Sequence, residues 1–161
     1  MKTIDVCPLA SSKRQLIGAL LSTRDKTDLL QTALADEYLA TLQYHTGATM
    51  AKNAKVKKEL RQHAKEELEH ADLLARRIIV LDGSPAPKSM WKALAFCSYT
   101  PPGKGDKKIL QQNILGEMCA IDYYQDILNK NKVDLRTRDV IAHILEEEYE
   151  HLYDLTDLLK D

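Results

Sequence analysis

The chain has 161 residues, 44% hydrophobic and 29% charged, which is enough for one domain with its own core and unlike a disordered chain. A formal net charge of -1 supplies no bulk attraction to nucleic acid. No apolar run approaches the roughly 20 residues of a membrane span, and Asp5 stands where a signal peptide needs an apolar stretch, so a cytoplasmic protein is expected.

Residues 1–22 read as an N-terminal tail ahead of one domain, 23–161. The tail mixes Pro8, Ser11, Ser12, Lys13 and Arg14 with an apolar patch, Leu16 to Leu21, suited to docking on the body or on a neighbour. Its few cations argue against DNA coating, because phosphate affinity scales with the number of cations engaged. A first long helix is expected from Thr27 to Met50, with Leu30, Leu34, Glu37, Thr41, Tyr44 and Ala48 on its seam. A second runs from Ala54 to Leu81, with Leu60, Ala64, Glu67, Ala71, Leu74, Ile78 and Leu81 inward and His70 at the edge of the stripe. Residues 82–106 carry Gly83, Pro85, Pro87, Pro101, Pro102, Gly103 and Gly105, which stop any long helix. Met90 to Cys97 reads as a short helix within this crossover, which returns the chain so that the second and third long helices run parallel.

The third helix is expected from Lys107 to Asn129, with Leu110, Ile114, Glu117, Ile121, Tyr124 and Leu128 on its seam. Asp134 caps a fourth that reaches Leu159, with Ile141, Ile144, Glu148, His151, Leu155 and Leu158 inward. The fold class is therefore all-α, a four-helix bundle of two helix pairs joined by a long crossover. The halves echo each other. Glu37 precedes Glu67-x-x-His70, Glu117 precedes Glu148-x-x-His151, and Tyr44 and Tyr124 each follow their lone Glu by seven residues.

Most helical glutamates are solvated. His45, His63 and His143 read as ordinary hydrogen-bonded core residues, and the acids flanking Glu148 as ordinary solvated ones. Four glutamates on four seams are different, because an unpaired buried carboxylate takes up a proton rather than ionise. No Lys or Arg interrupts these seams. Two divalent cations offset four carboxylates, and neutral imidazoles complete the coordination. Glu-x-x-His places an oxygen and a nitrogen donor on one helical face, suited to iron, manganese or zinc. One site is expected to take Glu37 and His70 and the other Glu117 and His151. Glu67 and Glu148 bridge cations about 3.5–4 Å apart. Tyr44 and Tyr124 read either as hydrogen-bond donors to these ligands or as plain core tyrosines.

Glu37, Glu67, His70, Glu117, Glu148 and His151 match the di-iron ligands of bacterioferritin in order and spacing, so the chain resembles the ferritin-like superfamily over its four helices. Leu68 stands where bacterioferritin has its haem-ligating Met, which implies no haem. The fifth helix of the 24-subunit ferritins and the rubredoxin module of rubrerythrins have no counterpart in this sequence. What remains is similar to the Dps-like proteins, or thioferritins. That resemblance implies a ferroxidase with two iron ions per subunit in a homododecameric cage. It would oxidise Fe(II), preferably with hydrogen peroxide, store the ferric mineral and protect against oxidative damage. It also implies a cysteine pair beside the site, which Cys97 and Cys119 resemble. Cys119 lies two residues past Glu117, about 200° around the helix and away from the cations. The pair reads either as a disulfide with a redox role or as two small buried side chains. Two other activities fit the same residues: a non-storage di-metal peroxidase, oxidase or manganese catalase, and a helical interaction module whose acids are solvated.

Overall fold

The protein is described here by a computed structural model covering residues 26–97, 99, 101–130 and 133–160. The expected tail, with its apolar patch and Cys7, lies outside the described residues. The body is an all-α four-helix bundle. Its long helices are α1 (Lys26–Met50) and α2 (Ala54–Val80), then, beyond a 3-10 turn at Lys88–Met90 and the one-turn helix α3 (Trp91–Leu94), α4 (Asp106–Asn129) and α5 (Leu135–Leu158). The expected boundaries hold to within a residue or so. The crossover helix is shorter than the Met90–Cys97 expected, because Ala95 leaves the helical conformation at ψ 137°.

Each boundary has a local cause. The Asn53 side chain accepts from the Lys55 and Val56 N–H groups, and Asp134 accepts from Thr137 N–H, so two orphan donors at α2 and one at α5 are satisfied. At the end of α2, Gly83 N–H reaches Ile78 O at 2.9 Å and Asp82 N–H reaches Ile79 O at 3.1 Å, a Schellman pairing. The left-handed residue there is Asp82, at φ 60°, rather than the neighbouring glycine. Glycine is still required at 83, since a Cβ would lie 2.8 Å from both Ile78 and Thr27 side chains.

Two ties fix the direction of the crossover. Lys52 and Asn53 N–H groups donate to the Asp106 carboxylate at 2.7 and 2.8 Å, so α2 and α4 begin at the same end. Those bonds hold the Asp106 carboxyl below its ordinary pKa. At the other end Arg77 of α2 bonds Thr137 and Asp134 at the start of α5. Hence α2 and α4 run parallel, and α5 runs against both. The crossover lies along α1, where Trp91 stacks on Tyr38 at 4.1 Å and the buried Asp36 carboxylate accepts from Phe96 and Cys97 N–H.

The core is two apolar clusters. One gathers Leu30, Leu34, Leu74, Ile78, Ile127 and Ile141, and the other Ala48, Leu60, Ile109, Leu110 and Leu155. The seam carboxylates lie at the level between them. Each apolar cluster therefore closes one end of a polar layer.

Candidate metal centre

Each long helix delivers one carboxylate to that layer: Glu37 from α1, Glu67 from α2, Glu117 from α4 and Glu148 from α5. His70 and His151 follow one turn after Glu67 and Glu148. None of the six is more than 3% exposed, so none is held there by solvent. His70, expected at the edge of its stripe, is fully inside. The six form two overlapping sets, Glu37–Glu67–His70–Glu148 and Glu67–Glu117–Glu148–His151, and within each set the donor atoms lie within 4.8 Å of one another. Glu67 and Glu148 belong to both.

His70 Nδ1 is 3.1 Å from Glu148 and 3.5 Å from both Glu37 and Glu67. His151 Nδ1 is 3.1 Å from Glu67 and 3.8 Å from both Glu117 and Glu148. Two ligands about 2.1 Å from one cation at a tetrahedral angle stand about 3.4 Å apart. The observed spacings match that edge length. The donors' hydrogen bonding makes the same point. Among the described residues, six buried side-chain polar atoms have no hydrogen-bond partner: Glu67 Oε1, His70 Nδ1, Glu117 Oε2, Glu148 Oε1, His151 Nδ1 and His63 Nδ1. The first five belong to the two sets. An orphaned buried polar atom costs about 1–3 kcal/mol, so five sharing one layer call for positive charge among them, as shared protons or as cations. The residues fit a pair of divalent metal ions.

The outward atoms of the same side chains are anchored, and the anchors cross between the halves. Tyr44 of the first half donates to Glu117 of the second, and Tyr124 of the second donates to Glu37 of the first. His70 Nε2–H donates to Glu147 at 2.7 Å, and His151 Nε2–H to Glu66 at 3.0 Å. A carboxylate accepting at Nε2 leaves the Nδ1 lone pair free for the centre. Sequence reasoning set Glu147 aside with the solvated acids and passed over Glu66. The signal was present: Glu66-Glu67-Leu68-Glu69-His70 and Glu147-Glu148-Tyr149-Glu150-His151 both open on a doubled glutamate. His45 and His143, expected as hydrogen-bonded core residues, are instead exposed, because they fall on the solvent faces of α1 and α5. His63 departs from its expected reading as a hydrogen-bonded core residue. Its Nδ1 has no partner, and its ring stacks on His151 at 4.2 Å.

In this geometry protons occupy the place of cations. Burial, then the Glu67 charge, raises the Glu37 and Glu148 carboxyls well above their ordinary range. Burial opposes charge on His151, but the Glu117 and Glu67 carboxylates outweigh it and push the pKa up to about 11. For His70 burial is likewise outweighed by Glu148, Glu37 and Glu67, and its pKa rises further. Burial also pushes Tyr44 and Tyr124 up, so both stay protonated hydrogen-bond donors.

Cys97 and Cys119 are joined in a disulfide with Cα atoms 5.9 Å apart, which ties the crossover to α4 one half-turn from Glu117. Asp36, next in sequence to Glu37, secures the Cys97 end from α1. Burial pushes its carboxyl up to about 8 although two backbone N–H groups work against the shift. A narrow opening lined by Gln43, Tyr99, Asn113 and Gly116 reaches Glu67, Glu117 and Glu148.

A family model described as a ferritin-like domain matches residues 27–161, the whole bundle. The chain belongs to the ferritin-like family. A solved ferritin-like relative is the dodecameric thioferritin, or bacterioferritin-related protein, of Bacteroides fragilis. It is 40% identical, superposes with a TM-score of 0.81, and the match covers 92% of this chain and 94% of that one. The Dps protein of Thermosynechococcus elongatus shares the fold at 17% identity, with a TM-score of 0.78 and coverage of 92% and 95%. So does a Rhodobacter capsulatus bacterioferritin, solved with a metal-free dinuclear site and haem iron, at 23% identity, a TM-score of 0.73 and coverage of 83% and 82%. Among the described residues of this ferritin-like chain, no helix is long and apolar enough to cross a membrane.

Proposed function

We propose that this chain is a ferroxidase and iron-storage protein of the thioferritin type, acting on Fe(II) with hydrogen peroxide inside a homododecameric cage. The observation that carries the reading is the pair of overlapping four-donor sets whose facing atoms have no other partner. Glu37 and His70 would serve one iron, Glu117 and His151 the other, and Glu67 and Glu148 both. Iron is the substrate here. Each Fe(II) gives up one electron, and the two electrons with two protons convert hydrogen peroxide to two waters as the O–O bond breaks. Because both electrons come from one pair of neighbours, no hydroxyl radical is released, which is how such a site limits oxidative damage.

The protein's own residues make this workable. The apolar clusters keep bulk water from the layer and so strengthen its electrostatics. Tyr44, Tyr124, Glu66 and Glu147 hold the ligands from behind. Carboxylates suit both oxidation states, since each can shift between one and two cations as charge changes. Assembly is supported by the Bacteroides relative, a dodecamer at 40% identity. It is also supported by exposed apolar residues near one end of the bundle, Ile79 at 58%, Val80 at 67% and Leu135 at 73%. The test is the mass and iron content of the assembled particle after Fe(II) is added with hydrogen peroxide. A twelve-subunit shell holding far more than two irons per subunit is expected. A monomer or dimer that stops at two sinks the storage reading.

A further inference from the structure

We propose that Glu59, His63 and Asp154 form a third cation site, open to solvent and one imidazole ring away from the layer, through which Fe(II) passes on its way in. The inference rests on the ferroxidase reading for its role, but not for its existence. Glu59 and His63 stand one turn apart on α2, and Asp154 comes from α5, three residues after His151. Their donor atoms lie within 4.8 Å of one another.

His63 is 1% exposed, whereas Glu59 is 30% and Asp154 45% exposed, so the nitrogen sits at the floor and the carboxylates at the rim. His63 Nε2 is 3.5 Å from Glu59 Oε1 and 3.7 Å from Asp154 Oδ2. Those distances are too long for good hydrogen bonds. They are close to the roughly 3.4 Å edge between two ligands of one cation. An independent sign is the state of His63 itself. It is buried, and its Nε2 faces these two carboxylates without a close hydrogen bond to either.

The cluster is continuous with the layer. His63 stacks on His151 at 4.2 Å, and Glu66, whose Oε2 is 3.0 Å from His151 Nε2, groups with both rings within the same 4.8 Å limit. Glu59 and Asp154, then His63, then Glu66 make a stepwise line of donors from solvent to the ligands. One imidazole with two or three carboxylates suits a divalent cation of the iron, manganese or zinc class rather than calcium.

The test uses the assembled protein and Zn(II), with the double variant E59Q/D154N, whose sites are partly exposed and tolerate amides without disturbing the core. Zinc-edge anomalous scattering on wild-type crystals is expected to show a third peak among Glu59, His63 and Asp154, and equilibrium titration a third zinc per subunit. The variant is expected to lose that zinc and keep the other two. No third peak in the wild type, or a third zinc that survives the variant, overturns the site. A third peak beside an empty Glu37–Glu148 layer supports this site and sinks the ferroxidase reading instead. For the passage role, the first two Fe(II) per subunit should oxidise several-fold more slowly in the variant, with the same final stoichiometry. An unchanged rate overturns that role.

Discussion

Glu148→Gln is the substitution on which the site can be judged. The side chain is 1% exposed, its Oε1 has no hydrogen-bond partner, and it belongs to both donor sets. Glutamine keeps the shape and removes one negative charge. In the metal-free protein the change is mild or even stabilising, because one of several crowded carboxylates is gone and burial already favours its neutral form. In the loaded protein four carboxylates balance two divalent cations, and E148Q leaves a buried excess of one positive charge. Removing one partner of a buried charge pair costs about 3–5 kcal/mol, which corresponds to roughly two to three and a half powers of ten in affinity. The assay is anaerobic titration with Fe(II), followed by stopped-flow oxidation with hydrogen peroxide, with circular dichroism as the check on folding. The variant should stay helical, bind Fe(II) weakly and lose fast oxidation. Wild-type stoichiometry and kinetics in a folded E148Q protein would refute the charge-balance argument, and the two-cation layer with it.

Four more predictions follow from the surroundings of the layer. Tyr44→Phe and Tyr124→Phe each strip a hydrogen bond from a buried carboxylate, and each should lower cation affinity by about tenfold, from a loss of about 1–2 kcal/mol, in calorimetric titration. Glu147→Ala frees the His70 ring from its outer anchor and should weaken cation binding by about 10–100-fold while the melting temperature of the metal-free protein changes little. Breaking the Cys97–Cys119 link by Cys119→Ser opens a closure 22 residues long, for which chain entropy gives a loss of about 3 kcal/mol, read as a lower midpoint in chemical denaturation. The metal-free protein should lose stability as pH rises. His151 has a folded pKa of about 11 against an ordinary 6.5, so its contribution is complete below pH 6.5 and gone above about 11. The raised Glu37 and Glu148 carboxyls act in the same direction. Metal loading should flatten the melting curve against pH and release protons, seen as a buffer-dependent binding heat.

The bundle was legible because its seams repeat every three or four residues and its breakers cluster in one crossover. The clustering of Glu37, Glu67, Glu117 and Glu148 in one buried layer was legible for the same reason, since a glutamate where a leucine belongs is a visible anomaly. The outer shell was less so. Glu66 and Glu147 lie off the seam, about 100° from their neighbours, where a charged residue on a helix usually faces water. Nothing in one helix tells which half supplies its partner. Periodicity gives the face of a side chain but not the register between helices, so the crossing of Tyr44 to Glu117 and of Tyr124 to Glu37 emerged only from packing. Asp36 was missed because α1 is buried on several faces around Thr32–Glu37, and a simple stripe underestimates that. His63 was misjudged because stacking on a second imidazole leaves no mark on local sequence.

The crossed anchors explain why the layer needs both halves at once. If each half supported its own ligands, a helix pair alone would carry one complete cation site. Here the first half positions Glu117 and His151 through Tyr44 and Glu66, and the second positions Glu37 and His70 through Tyr124 and Glu147. The shared pair is also split, with Glu67 from α2 and Glu148 from α5. Loss of alignment between the halves would therefore disturb both donor sets together. The crossover is the covalent element that sets this alignment, pinned to α1 by Asp36 and Trp91 and to α4 by the disulfide. Its fastenings lie outside the layer, yet they tie α1, which carries Glu37, to α4, which carries Glu117. Relaxing them should reach the cations through geometry before it reaches them through unfolding.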